Sequence, residues 1–208
     1  MKKILFLAAF ALTCHFALAQ VSFGLKGGVN FATLGGKDAD EVSGKKSNTG
    51  FYFGGTVNVP LGENFAFQPE LLYSAKQGFE YRETILNTTY EFNLNLGYLN
   101  LPLMLQYRNS GFIAEVGPQI GFLLTAKAKE SDGSTSSEED VKENFKGTDV
   151  GINLGLGYQF SNGFGLQGRY TFGMSNIADE PDTEIKNRVF SVGVFFNFGD
   201  KKTKEVKK

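Results

Sequence analysis

The stretch "DVGINLGLGYQFSNGFGLQGRYTFGM", Asp149 to Met174, repeats a two-residue pattern on both sides of a short turn. Val150, Ile152, Leu154, Leu156, Tyr158 and Phe160 alternate with Asp149, Gly151, Asn153, Gly155, Gly157 and Gln159. After "SNG", Phe164, Leu166, Tyr170, Phe172 and Met174 oppose Gln167, Arg169 and Thr171. Period two puts the two sets on opposite faces of a β-strand, so the stretch reads as two antiparallel strands with one apolar face.

The same alternation extends in both directions. Toward the C-terminus, Phe190, Val192, Val194, Phe196 and Phe198 oppose Ser191, Gly193 and Asn197. Toward the N-terminus, Phe112, Ala114, Val116, Pro118, Ile120, Phe122 and Leu124 oppose Glu115, Gly117, Gln119 and Gly121. Three earlier segments follow suit: Val21 to Phe31, Phe51 to Val59, and Phe65 to Tyr73, the last with Gln68, Glu70, Ser74 and Lys76 on its other face. In "YEFNLNLGYLNLPLMLQYR" the apolar set changes phase, from Tyr90, Phe92, Leu94, Leu96 and Tyr98 to Leu99, Leu101, Leu103, Leu105 and Tyr107. A β-bulge near Gly97 would flip the faces. Alternatively, the upper half rises out of the membrane into different surroundings.

Eight such segments are joined by connections that alternate in length. "LGEN", "NSG" and "SNG" are tight turns, whereas 32–48, 83–89, 128–147 and 175–187 are long or polar. An even number of strands, with short turns on one rim and long loops on the other, describes an eight-stranded antiparallel up-and-down transmembrane β-barrel.

The first residues fit that destination. "MKKILFLAAFALTCHFALAQ" has two lysines, a short apolar run and Ala17-Leu18-Ala19, the layout of a secretory signal peptide over 1–19, cleaved near Ala19/Gln20. The run is too short to span a bilayer as a helix. Cys14 follows Thr13 inside it, which is a poor lipidation context. Cleavage removes the only cysteine and the only histidine, Cys14 and His15, and with them thiol, imidazole and triad chemistry. No catalytic, metal or cofactor residues are therefore expected, and the protein reads as a non-enzyme. A formal net charge of −1 makes no case for nucleic acid. "GLGLGYQFSNG" lacks the spacing of a dinucleotide fingerprint, and no phosphate-loop lysine follows.

The polar face holds glycines together with Lys26, Glu70, Lys76, Glu115 and Arg169, a charge network expected inside the lumen. The chain contains 26 glycines, 21 phenylalanines, 8 tyrosines and no tryptophan. So many aromatics could not fill an eight-stranded interior, so they are expected to face lipid. The remote alternative is a soluble periplasmic cup with those faces reversed. Ser191, Gly193, Phe196 and Phe198 resemble the closing-strand signal read by the barrel-assembly machinery. After a barrel over 20–199, the lysine-rich tail 200–208 is expected in the periplasm.

The stretches "GLKGGVNFA", "FQPELLYSAKQG", "YLNLPLMLQYR", "AEVGPQIGFLL", "DVGINLGLGYQF" and "GRYTFGMSNI" resemble the PorT-like outer-membrane β-barrel family of gram-negative bacteria. That resemblance implies the fold and the cell outer membrane, and it brings no functional residues with it. The family takes its name from a member tied to a protein-secretion and gliding apparatus. The expected role is a closed barrel presenting surface loops, above all the acidic, Ser-rich 128–147. The alternatives are an accessory component of a secretion apparatus and a narrow conduit.

Overall fold

The computed structural model describes residues 21–41, 45–85, 88–131, 135–180 and 182–198; the expected signal peptide and the 200–208 tail lie outside them. The strands are β1 (Ser22–Gly35), β2 (Lys45–Pro60), β3 (Phe65–Ile85), β4 (Thr88–Asn109), β5 (Phe112–Ser131), β6 (Ser136–Asp140), β7 (Thr148–Gln159), β8 (Phe164–Gly173) and β9 (Lys186–Phe198), with one short helix, α1 (Lys37–Glu41). Every pairing between them is antiparallel, and β1 pairs with both β2 and β9. Eight strands thus close into a ring in the order β1-β2-β3-β4-β5-β7-β8-β9, leaving no edge in the wall, while β6 is added to the upper end of β5.

The three tight turns share one rim. At Asn109 to Phe112, Ser110 (φ 52°) and Gly111 (φ 91°) both have positive φ, the turn whose twist suits a two-residue hairpin. Aromatics cluster beside these turns: Phe65 packs against Tyr107 at 5.5 Å, Tyr158 against Phe160 at 5.3 Å, and Phe160 against Phe164 at 6.3 Å between ring centroids. They form an interfacial girdle. From this rim the exposed apolar face rises along Val150 to Tyr158 on β7, Leu99 to Tyr107 on β4 and Phe190 to Phe198 on β9. Each run is about nine residues, the length a tilted strand needs to cross the hydrocarbon.

Above this band the polarity of the wall inverts. β4 keeps its phase throughout: Leu94, Leu96 and Tyr98 are buried inside, continuing the row that lower down holds Asn100, Met104 and Gln106. The extra residues lie on its neighbours. Leu124 of β5 has no partner between Gly97↔Thr125 and Tyr98↔Leu123, and Ala75 and Lys76 of β3 face a single residue between Ser74↔Tyr98 and Gln77↔Leu96. The upper half is therefore the part standing above the membrane: its outer face carries Asn93, Asn95, Lys127 and Lys129, and its inner face is apolar. Leu94, Leu96, Tyr98, Leu123 and Ala126 meet Leu34, Ala39 and Ile177 in a core that caps the lumen, with Phe79, Phe92, Val141, Phe145 and Ile185 packed around it.

The long connections are consequently more ordered than their composition implies. In place of a loop over 83–89, Glu83↔Tyr90, Thr84↔Thr89 and Ile85↔Thr88 carry the β3–β4 hairpin to its tip. Within 128–147, β5 runs to Ser131, β6 pairs back along it, and a 3₁₀ turn covers Lys142–Asn144. Cross-strand pairing satisfies backbone groups that a loop would leave to water.

Candidate functional site

At the middle of the lumen four strands each contribute one charged side chain to a common cluster: Lys26 from β1, Glu70 from β3, Glu115 from β5 and Arg169 from β8. Lys26 Nζ donates to Glu70 Oε1 at 2.6 Å. Arg169 lies between the carboxylates, with Nη1 donating to Glu70 Oε2 at 2.8 Å, Nη2 to Glu70 Oε1 at 2.9 Å, and Nε and Nη2 to Glu115 Oε1 at 2.8 and 2.6 Å. The planar fork serves both acids at once, which a lysine could not do. Two cations balance two anions, and amides satisfy the remaining lone pairs: Gln68 donates to Glu70 Oε1 at 2.8 Å, Gln106 to Glu115 Oε2 at 2.8 Å, and Gln167 to Glu115 Oε1. Buried charges persist when they are both paired and fully hydrogen-bonded.

Glycine in the intervening strand makes this arrangement possible. Gly155 of β7 is in register with both Glu115 and Arg169. A Cβ there would stand 2.6 Å from Glu115 Oε1 and 2.9 Å from its Cγ. Gly155→Val is therefore expected to cost about 1–3 kcal/mol, as overpacking does. Gly168→Ala, where an added Cβ meets nothing within 4 Å, should be near neutral. Urea unfolding of the two variants in lipid vesicles measures the contrast; equal midpoints would refute the packing argument.

Amide and hydroxyl layers fill the lumen on either side of the charges. Below them, Asn58 donates to Gln68 and Gln106 at 3.2 and 3.3 Å, and Arg108 Nε donates to Gln106 at 3.0 Å. Above them, Asn30 donates to Ser74 Oγ at 2.5 Å, Ser191 Oγ to Asn30 at 2.7 Å, and Thr171 Oγ1 to Asn153 at 2.6 Å. Phe195 and Ile113 close the lower end. Two lumen cavities have volumes of about 30 and 10 Å³, room for a water or two.

Lys76, expected in the lumen network, does not join it. The bulge on β3 holds it at φ 55° and turns its side chain to the exposed outer face, just above Tyr73, where the ammonium stays in water. Gln68, Gln106, Gln167 and Arg108 complete the network; in the sequence their polar side chains resemble any strand's polar face, and only the ring brings them together.

On β9, Ser191 and Gly193 point inward while Phe196 and Phe198 lie on the lipid face, packed edge to face at 5.1 Å. Gly193 is in register with Gly28, and Gly28 with Tyr52. A Cβ at Gly28 would stand 2.8 Å from Tyr52 Cε1, so these glycines make room for the ring.

A second concave feature lies at the other end of the barrel. Between the tips of β3–β4 and β5–β6 a cleft of about 430 Å³ is lined by Tyr81, Tyr90, Glu91, Phe92, Glu130, Ser131, Thr135 and Ser137. Ion pairs brace the outer side of this sheet: Arg82 with Glu91 at 2.8 Å and Lys127 with Glu138 at 2.5 Å. Hydrogen bonding and charge attraction within the second pair raise the Lys127 pKa and lower that of Glu138, so both stay ionised around neutrality. Among the described residues, no three His, Cys, Asp or Glu side chains group as a metal site.

The family described as outer membrane protein beta-barrel domain matches residues 16–179. Among solved structures, Neisserial surface protein A is similar over 86% of this chain and 99% of its own, at 12% identity and a TM-score of 0.54. Ail, the attachment invasion locus protein of Yersinia pestis, solved with the heparin analogue sucrose octasulfate, is similar over 86% of this chain and 99% of its own, at 14% identity and a TM-score of 0.45. At 12% identity the likeness to Neisserial surface protein A is one of fold. No curated protein matches the chain.

Proposed function

Since the chain belongs to the outer membrane protein beta-barrel domain family and sits in the cell outer membrane, we propose that it is a non-enzymatic, closed barrel whose purpose is to carry a sheet-built collar above the membrane. The observation behind this is the pairing of a filled lumen with an ordered, polar-faced upper wall: the interior holds cavities of about 30 and 10 Å³, while β3, β4, β5 and β6 continue well past the apolar band. A conduit would need an open interior.

The test combines two measurements on the full chain. Planar-bilayer recordings are expected to show no unit conductance, and amine-reactive biotin applied to intact cells is expected to label the exposed lysines Lys127 and Lys129. Stepwise conductance would replace this reading with the narrow conduit. Failure to label would leave the upper sheet without access to the exterior and remove its role.

The PorT-like resemblance of the stretches quoted above supports a finer reading, an accessory part in protein secretion, for which the same collar would supply the contact surface. We also propose that β9, with Ser191 and Gly193 inward and Phe196 and Phe198 toward lipid, is the strand presented to the barrel-assembly machinery.

A further inference from the structure

The inner face of the upper sheet continues beyond the residues that cover it. Its lower rungs, Gln77–Leu96–Ala126 and Phe79–Leu94–Ala128, run into the capped core. The next rung is Tyr81 on β3, Phe92 on β4, Glu130 on β5 and Ser137 on β6, each in register with the next and hence facing one side. Tyr90, one step further along β4, leaves 49% of its surface exposed. These residues, with Glu91, Ser131 and Thr135, enclose the 430 Å³ cleft, which falls within the range of small-ligand sites.

We propose that this cleft binds the pyranose ring of an uncharged or amino-bearing surface glycan, an inference that rests on the surface-collar reading above. A pyranose has apolar C–H faces and a rim of hydroxyls. It is matched by aromatic planes flanked by acceptors, which Tyr81, Tyr90 and Phe92 supply together with the carboxylate of Glu130 and the hydroxyls of Ser131, Thr135 and Ser137. The charge balance selects among sugars. Glu130 lines the cleft and Glu139 lies on the same side of β6, whereas Glu91 and Glu138 are held by Arg82 and Lys127 on the outer side, and β2 brings Lys45 into register with Tyr81. That excess repels sulfated and uronic-acid sugars.

The experiment is calorimetric titration of the purified barrel, its fold verified by heat-modifiable mobility on SDS gels. The probes are N,N′-diacetylchitobiose, its deacetylated form and a sulfated disaccharide. The first two are expected to bind, and the sulfated sugar at least about tenfold more weakly. Tyr90→Ala should weaken binding about tenfold through loss of one stacking plane, and Glu130→Gln should weaken the deacetylated sugar more than the acetylated one. Absence of binding by both chitobioses to folded barrel, undiminished binding in both variants, or preference for the sulfated sugar overturns the inference. If binding fails while intact cells still label and no conductance appears, the glycan inference falls alone. If labelling fails as well, the surface reading falls with it.

Discussion

Arg169→Met is expected to lower the stability of the inserted barrel by about 3–5 kcal/mol, the cost of leaving a buried charge without its partner. Among the described residues, the guanidinium is the one group that ion-pairs with both carboxylates. Without it Glu70 keeps Lys26, but Glu115 keeps only the amide donors Gln106 and Gln167. A carboxylate in that position has no cation in contact with it and little water, given the size of the nearby cavities. The second variant separates charge from packing. Adding Glu115→Gln to Arg169→Met removes the stranded charge and should recover much of the loss, whereas adding Lys26→Met should deepen it by stranding Glu70 too. Urea unfolding in vesicles, followed by mobility on unboiled gels, gives all three values. A single-variant loss below about 1 kcal/mol would mean that the network is solvated and that the lumen is wetter than its geometry indicates.

The second large effect compares two residues that both face outward. Leu154→Arg, at the middle of the β7 run from Val150 to Tyr158, should cost about 2–4 kcal/mol, as a cation at the bilayer midplane does. Asn93→Arg, on the outer face of β4 beside Glu80 and Lys129, should cost within about 0.5 kcal/mol, because that position stands in water. Equal penalties would mean that the hydrocarbon reaches the upper wall. Equal neutrality would mean that it does not reach Leu154. Either result would displace the boundary drawn between Leu99 and Asn95 on β4.

That boundary also separates what the amino-acid sequence makes legible from what it does not. Periodicity reports which residues share a face, so Asp149 to Met174, with large apolar side chains opposed to glycines and amides, reads as a membrane wall at once. It does not report which solvent each face meets. Tyr90 to Tyr98 keep the same period as the residues below them, and only closure of the ring shows that this apolar face has become the inside. Lys76 fails to reach the lumen for a related reason: alternation counts residues, and the bulge at Ala75 and Lys76 adds one. Lys26, Glu70, Glu115 and Arg169 could be selected by charge alone. Their amide partners could not, because nothing distinguishes Gln68 or Gln167 locally from a polar residue on any strand, and the contact of Gln167 with Glu115 spans 52 positions of sequence.

Closure between β1 and β9 sets an order of events as well as a shape. The first strand made has to wait for the last: Ser191 donates to Asn30 across 161 positions, and until β9 is available β1 presents an unpaired edge along its whole length. Contacts this remote are slow to form. A nascent chain in transit through the periplasm would therefore carry an adhesive margin from its first residues until synthesis ends. Its yield in the membrane should depend less on the stability of the finished ring than on how long that margin is kept from other chains.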